Sequence, residues 1–383
     1  MSTANVASAA PTDARIEAQW RALADDLGPE RVLLIGQPSV GLESVVVIDN
    51  TACGPPIGGV RMTADVTVTE VARLARAMTI KNAAAGLPHG GAKAGIIADP
   101  RAGPVQKEAL IRAFAQAIRT TDYIPGPDMG TDERCMAWIR EEIGRAVGLP
   151  RVLGGIPLDE IGVTGFGLAV AADVAQEFTG ITLCGARVAV QGFGAVGRHA
   201  ARCLVERGAR LVAAADSQGA IVDPDGLPVE DLIALKARDR SVIELPEAKR
   251  IPPDDIVAVD CDIWIPAARP DVLTAENAPR VRAKLVLQGA NIPATAAAER
   301  LLHERGVLSV PDVIANAGGV ICAAVELRGG TQHEALAVVE ERIRDNTRAV
   351  LERARQAGEP PRTAALELAH ARVAEAMALR RWR

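Results

Sequence analysis

Hydrophobic residues in the first half of the chain recur with two spacings, which predict helices and strands in turn. Apolar positions three and four residues apart are typical of amphipathic helices. One helix is predicted to open at Thr67, which has the spacing of a capping box with Glu70. Aliphatic runs bounded by glycine or proline predict strands. The predicted helices cover residues 15–27, 67–81, 104–120 and 134–147, and the predicted strands cover residues 31–35 and 44–49.

In the second half, short aliphatic strands alternate with helices. This alternation predicts an α/β fold with a parallel, doubly wound sheet. Two long helices rich in Ala, Leu, Glu and Arg are predicted to close the chain at residues 333–351 and 363–379. The glycine-rich stretch 148–155 is the predicted domain boundary. The predicted strands cover residues 187–191, 210–215, 262–265, 284–288 and 307–310, and a helix is predicted at 198–207.

Composition and charge exclude several classes of function. A length of 383 residues corresponds to about two domains. The net charge of −5, without a basic block, argues against a nucleic-acid surface. No apolar run approaches the roughly 20 residues that span a bilayer, and residues 1–15 lack the pattern of a signal peptide. Six widely spaced cysteines indicate reduced thiols, so we expect a cytoplasmic protein.

Lysine is rare in this chain, which makes each lysine informative. Only 6 of the 43 basic residues are lysine, and a buried lysine, unlike arginine, can act as a base. Lys81 falls on the apolar stripe of its helix, as either a snorkelling side chain or an ammonium that binds an anion. Lys93 lies among glycines and alanines, which leave space for a ligand, so it is either a general base or a plain loop lysine.

One carboxylate is also a candidate for acid–base chemistry. Asp128 lies between prolines and a glycine after a strand-like stretch, and it either caps a turn or reacts with a ligand. The five histidines show no spacing such as HxxxH, so we expect no metal site.

A glycine-rich loop follows the predicted strand 187–191 and precedes a helix. The sequence of residues 192–197 is GFGAVG, which matches GxGxxG, and Asp216 ends the next strand. Such a loop brings a pyrophosphate close to the backbone, and the acid would bind ribose hydroxyls. A purely structural glycine turn is the alternative. We expect NAD, with NADP as the alternative because Ser217 could hydrogen-bond a 2′-phosphate. The predicted cofactor residues here are Gly192, Phe193, Gly194, Ala195, Val196, Gly197, Asp216 and Ser217.

Several further motifs resemble those of the glutamate/leucine/phenylalanine/valine dehydrogenase family. They follow the family order from about residue 50 to 325, and the lysine and NAGG motifs are specific to it. The matching segments are GPPIGGVR (54–61), MTIKNA (78–83), GGAK (90–93), PDMG (127–130), TGFG (164–167), the glycine loop, CDIWIPAA (261–268), GAN (289–291) and PDVIANAGGV (311–320).

The resemblance implies a fold, a reaction and an assembly. An N-terminal α/β domain for substrate binding and oligomerisation, residues 1–150, would be completed by returning C-terminal helices, residues 325–383. Residues 151–324 would form a Rossmann domain for NAD(P). The implied reaction is the reversible oxidative deamination of an L-amino acid to a 2-oxo acid and ammonium. Family members are oligomers, so a homo-oligomer is implied, as a hexamer, octamer or dimer.

The resemblance also implies roles for individual residues. Lys81 would bind the substrate α-carboxylate. Lys93 would be the catalytic lysine that polarises the carbonyl and activates water, and Asp128 would shuttle protons. Thr164, Asn291 and Asn316 would hold the nicotinamide end. Further implied substrate residues are Ile57, Gly58, Gly59, Ala323 and Asn316, and further implied cofactor residues are Ala267 and Ala268.

Two departures from the family pattern bear on the substrate. Glutamate-specific members have a lysine where this chain has Ile57, and a serine where it has Ala323. Burying a γ-carboxylate without these partners would cost several kcal/mol. We therefore expect an apolar side chain on the substrate, as in leucine, valine or phenylalanine. The alternatives are a glutamate dehydrogenase whose γ-carboxylate is held by an arginine placed elsewhere, and a catalytically weak regulatory paralogue.

Overall fold

The computed structural model describes residues 23–101 and 103–380. They form two compact units, one containing the chain up to Thr79 with His89–Gly144, the other Ile80–Pro88 with the chain from Arg145 onward. The strands are β1 Arg31–Gln37, β2 Leu42–Asn50, β3 Pro56–Thr63, β4 Gly90–Ile97, β5 Ile124–Pro127, β6 Arg187–Gln191, β7 Arg210–Asp216, β8 Gly219–Val222, β9 Lys249–Ile251, β10 Ile263–Pro266, β11 Leu285–Leu287 and β12 Leu308–Val310.

Helices account for much of the remaining chain. The helices are α1 Val68–Ala84, α2 Pro104–Ala117, α3 Glu133–Ile143, α4 Leu158–Ile161, α5 Val163–Thr179, α6 Ala195–Glu206, α7 Val229–Lys236, α8 Ala296–Glu304, α9 Asp312–Ala315, α10 Gly318–Leu327, α11 Gln332–Ala357 and α12 Pro361–Ala378. The helix predicted at residues 15–27 lies mostly outside the described residues, and residues 24–27 are not helical.

The first unit is built on a five-stranded sheet in the order β1-β2-β4-β3-β5. Strands β3, β4 and β5 are parallel neighbours, whereas β1 and β2 run antiparallel to the strands they pair with. The sequence did not predict β3 or β4, because glycines are poor strand formers. Glycine is needed at position 91 of β4, because a Cβ there would lie 2.1 Å from the backbone nitrogen of Thr79. Helix α1 therefore lies directly on this strand.

The second unit contains a seven-stranded sheet in the order β12-β11-β10-β6-β7-β8-β9. The strands from β12 to β7 are parallel, as the alternating pattern predicts, and β8 and β9 extend the sheet in antiparallel fashion. The sequence did not predict β8 and β9, which are four and three residues long. The molecule thus has the predicted α/β architecture, an N-terminal α/β part and a Rossmann part.

The C-terminal helices group with the second unit, whereas the family resemblance implies that residues 325–383 complete the first domain. Helix α11 packs along α5, where Gly167 leaves room for Ile343. On α12, Arg372 donates to the carbonyl oxygens of Ala83 and Ala84 at the end of α1, at 2.9 and 2.8 Å. These contacts bring residues 80–88 into the same unit. The assignment of domains to functions stays a prediction.

Three further observations concern the cysteines, metal sites and membrane-spanning helices. All six cysteines are free thiols. Among residues 23–101 and 103–380, no cluster of three or more His, Cys, Asp or Glu side chains has the arrangement of a metal site. The helices in the described part of the chain are too short or too polar to cross a membrane.

Candidate active site

A lysine–carboxylate pair lies on the first sheet, where three parallel strands meet. Lys93 is in β4, Asp128 directly follows β5, and β3 lies between these two strands. The Lys93 Nζ contacts the Asp128 Oδ2, and both side chains are largely buried. On β3, a Cβ at Gly59 would lie 2.9 Å from the Lys93 Nζ and 2.8 Å from the Asp128 Cβ. Glycine is therefore required at position 59 for the pair to form.

The charge state of Asp128 follows from competing effects. Burial acts to raise the pKa of its carboxyl, but the Lys93 ammonium and a backbone N–H from Met129, 2.6 Å from Oδ1, act in the opposite direction. The Arg61 guanidinium, 3.5 Å from Oδ1, adds a smaller lowering. The net result is a pKa below the ordinary value, so Asp128 is ionised at neutral pH. An ionised carboxylate beside a lysine can accept a proton.

Two residues that support this pair were missed by sequence reasoning. Tyr123 is fully buried, and its hydroxyl donates to the carbonyl oxygens of Gly58 and Gly59 at 2.8 and 3.1 Å. Burial raises the pKa of Tyr123 well above its ordinary value, so the hydroxyl keeps its proton. Arg61 bridges Asp128 and Glu70. Arg61 lies in the GPPIGGVR motif of residues 54–61, and this motif is the feature of the sequence that could have identified it.

The predicted substrate residues of β3 lie around the same pair. Residues 57, 59 and 61 alternate onto one face of the strand, the face that Lys93 and Asp128 occupy beside Gly59. Ile57 is on that face and is buried. Gly58 points to the other face, where a Cβ would lie 1.6 Å from the carbonyl oxygen of Ala92. Ile57, Gly59, Lys93 and Asp128 therefore form one cluster, and Gly58 contributes backbone only.

In the second unit, the glycine loop opens a groove of about 610 Å³ at the ends of β6 and β7. Gly192 has a φ of +95°, and a Cβ there would lie 2.6 Å from the Cα of Ala268. Ala195, Val196 and Gly197 form the first turn of α6, whose free N–H groups suit a pyrophosphate. Residues lining the groove include Gln191, Gly192, Phe193, Gly194, Ala215, Asp216, Ser217, Lys236, Ala267, Ala268 and Arg269.

Asp216 is more heavily engaged than the sequence suggests. Its carboxylate accepts hydrogen bonds from Lys236 Nζ, Ser241 Oγ and the backbone N–H groups of Gln218 and Val242, at 2.9 to 3.0 Å. Burial acts to raise its pKa, but these donors outweigh it and hold the pKa below the ordinary value. Lys236 was not among the predicted residues, because it lies 20 positions after Asp216 and on helix α7, whereas Asp216 ends strand β7.

A third cluster, also in the second unit, surrounds Asn291. The Asn291 Oδ1 accepts from Lys81 Nζ at 3.2 Å and from Asn316 Nδ2 at 3.1 Å. The Asn316 Oδ1 is buried and has no hydrogen-bond partner among the described residues. A buried acceptor without a partner suits the carboxamide N–H of a nicotinamide. Thr164 Oγ1 lies 3.7 Å from where a Cβ at Gly319 would stand.

Ala323 lies one helical turn after Gly319 on α10 and is buried. The predicted site residues thus fall into three groups. The first group is the pair on the first sheet with Ile57 and Gly59; the second lines the glycine-loop groove; the third comprises Lys81, Thr164, Asn291 and Asn316 with the start of α10.

Comparison with known proteins gives the same family for both halves of the chain. Residues 30–145 match the family described as Glu/Leu/Phe/Val dehydrogenase, dimerisation domain. Residues 154–381 match Glutamate/Leucine/Phenylalanine/Valine dehydrogenase.

Individual relatives align over most of the chain. A glutamate dehydrogenase of Aeropyrum pernix is 40% identical over 87% of this chain and 85% of its own length. An NADP-specific glutamate dehydrogenase of Saccharolobus shibatae is 38% identical, over 86% and 83%. Among solved structures, a hetero-hexameric glutamate dehydrogenase from Thermus thermophilus in its Leu-bound form matches with a TM-score of 0.80 and 30% identity, covering 96% of both chains.

Proposed function

This chain belongs to the Glu/Leu/Phe/Val dehydrogenase family and is an NAD(P)-dependent amino acid dehydrogenase acting on the CH–NH2 group, and we propose L-glutamate as its substrate. Two relatives that align over more than four fifths of the chain are glutamate dehydrogenases. The apolar substrate expected from Ile57 and Ala323 is not supported by these relatives. The γ-carboxylate is then bound by a cation other than a lysine at position 57.

The proposed catalytic pair is Lys93 and Asp128. The contact between the Lys93 Nζ and the Asp128 carboxylate, on a glycine-walled part of the sheet, is the observation that carries this proposal. Asp128, ionised at neutral pH, takes a proton from the substrate amino group and later returns one to the departing ammonia. The Lys93 ammonium orients the water that attacks the imine carbon, and it polarises the carbonyl of the 2-oxo acid that forms as ammonia leaves.

Substrate and cofactor are held by residues of the other two groups. Lys81 binds the substrate α-carboxylate as an ammonium. Asn291, Asn316 and Thr164 orient the nicotinamide end, and the unpartnered Asn316 Oδ1 supports this role. When bound, the nicotinamide ring supplies the hydride acceptor for the reaction. The glycine loop holds the pyrophosphate at the start of α6.

The groove residues also bear on the choice of cofactor. Asp216 already accepts four hydrogen bonds, so a ribose hydroxyl would compete with existing donors. Lys236 and Ser217 line the same groove and could bind a 2′-phosphate. We therefore propose that the enzyme uses NAD and also accepts NADP. A cytoplasmic homo-oligomer remains part of this proposal.

An apolar amino acid is the second candidate substrate, and the burial of Ile57 and Ala323 favours it. The two side chains are 4% and 9% exposed, and neither can bind a carboxylate. A leucine, valine or phenylalanine side chain placed against such residues loses no hydrogen bonds on binding.

Initial rates of NAD+ and NADP+ reduction with glutamate, leucine, valine, phenylalanine and alanine test both candidates. Turnover of glutamate far above the other four supports the first proposal. Turnover of an apolar amino acid without glutamate would establish the second candidate instead. Binding of NADH without turnover of any amino acid would contradict both and leave the regulatory paralogue.

A further inference from the structure

A residue next to Asn291 has a backbone conformation that its side chain disfavours. Ile292 has a φ of 49°, in the left-handed region that β-branched residues rarely adopt. Such conformations persist only where the surrounding structure holds them, and they are concentrated at functional sites. The strained residue directly follows the asparagine that we assign to the nicotinamide end.

Two hydrogen bonds hold Ile292 in this conformation. Its N–H donates to the Asp312 Oδ2 at 2.8 Å, and its carbonyl oxygen accepts from the N–H of Asp271 at 3.0 Å. Asp271 itself has a φ of 53°. Of the two partners, Asp312 is the buried one, and it contributes a charged acceptor.

Asp312 is in turn fixed by a buried network. Its Oδ1 accepts from Arg362 Nη2 at 2.7 Å. The same guanidinium donates to Gln288 Oε1 at 2.7 Å and to both carboxylate oxygens of Glu299, at 2.8 and 2.7 Å. Because the guanidinium is held by three acceptors, Asp312 has little freedom to turn away from Ile292.

Asp312 also lies on the helix that leads to Asn316. It is the first residue of α9, and its carbonyl oxygen accepts from the Asn316 N–H at 3.0 Å. One residue therefore connects to both asparagines of the third group, to Asn316 through the helix and to Asn291 through Ile292. Displacement of either amide would alter how the nicotinamide end is held.

We propose that Asp312 is a positioning residue that orients Asn291 for the nicotinamide by holding Ile292 in the left-handed conformation. The inference rests on the proposed role of Asn291. Neither Asp312 nor Arg362 needs to contact substrate or cofactor. Arg362 on α12 keeps the Asp312 carboxylate in place.

The test is a double-mutant cycle on the full-length enzyme, with NADH affinity measured by nicotinamide fluorescence. Asp312→Ala should raise the Kd for NADH about tenfold, because Ile292 can relax and displace Asn291. Ile292→Gly removes the conformational penalty, because glycine adopts a positive φ freely. In the Ile292→Gly background, Asp312→Ala should therefore raise the Kd by no more than about twofold.

The matched control is Glu326→Gln, a buried carboxylate of the same unit that accepts from the N–H groups of Leu149 and Ile156 and bonds to neither Arg362 nor Ile292. It should lower the thermal unfolding temperature and leave the Kd for NADH within about twofold of wild type. Asp312→Asn, which removes the charge but keeps one oxygen acceptor, replaces the alanine variant in both backgrounds if that variant does not fold, and its smaller rise in the Kd for NADH should likewise be absent in the Ile292→Gly background.

The proposal is wrong if Asp312→Ala weakens NADH binding equally in both backgrounds, since that result indicates a general structural role. It is also wrong if the variant binds NADH as wild type does. Affinity is measured without turnover. A wild-type protein that binds NADH and oxidises no amino acid would therefore refute the proposed function and still allow the cycle to decide the role of Asp312.

Discussion

The charged pair of the first unit is assembled from three strands, whereas the glycine loop of the second unit is one uninterrupted stretch of chain. Gly59, Lys93 and Asp128 are brought together by the order β4-β3-β5. Residues 192–197 instead line one groove through a turn and a helix start. The pair depends on side-chain charges in a confined space, and the loop depends on backbone N–H groups. Mutations should therefore separate chemistry from cofactor binding.

Replacement of Lys93 should have the largest effect on activity. Lys93→Ala removes the group proposed to activate water, so kcat should fall by about a thousandfold. The Kd for NADH should be unchanged, because the glycine-loop groove is intact. Lys249→Ala, at an exposed position on β9, is the control and should keep full activity. Full activity of the Lys93 variant would refute its catalytic role.

A single methyl group at Gly59 should have the next largest effect. Gly59→Ala places a Cβ within 3 Å of both members of the pair, so we expect kcat/KM to fall about a hundredfold. The control is Gly36→Ala, on β1 of the same sheet. The added Cβ has no atom within 4 Å, so kcat/KM should be unchanged. Steady-state kinetics and NADH titration of both variants check this. Equal activity of the two alanine variants would show that the pair does not need this space.

Substitution of a groove residue should have a smaller effect, limited to the relative affinities for NADPH and NADH. Lys236→Gln removes the cation beside Asp216, so we expect the Kd for NADPH to rise about fivefold while the Kd for NADH changes little. Fluorescence titration with the two cofactors measures the ratio. A parallel rise for both cofactors would indicate that Lys236 acts on the shared part of the dinucleotide.

The smallest expected effect is on the pH profile. Arg61 is one of the cations that hold the pKa of Asp128 below its ordinary value, so the base form persists to a lower pH than an ordinary aspartate would allow. Arg61→Gln removes that cation and should move the acid limb of kcat/KM toward higher pH. Rates across the acid range, with stability checked at each pH, test this. A shift toward lower pH would contradict the assignment of Asp128 as the base.

The sequence was most informative where function depends on neighbours along the chain. The glycine loop, with a strand before it and Asp216 after the next strand, could be recognised because its geometry is local. Lys93 was predicted to be catalytic because lysine is rare in this chain and the residues around it are small. That β4 is a strand was not predictable from its glycines, because the close approach of α1 that requires Gly91 is a tertiary contact.

The remaining features depend on residues far apart in sequence. Tyr123 bonds to carbonyls 64 and 65 positions away, and Arg362 bonds to Asp312 across 50 positions. No periodicity or motif links such partners. The substrate was also hard to predict from the sequence. Ile57 and Ala323 show which contacts to a γ-carboxylate are missing, but they do not show which cation replaces them.

Tyr123 is the only tyrosine in the chain, so it has a use in optical measurements. Its hydroxyl is buried against the strand that carries Gly59, and its pKa lies well above the ordinary value. The ultraviolet band of tyrosinate therefore arises from a single known site. At alkaline pH that band should appear only as the first sheet opens, which makes this side chain an intrinsic optical reporter of the region around Lys93.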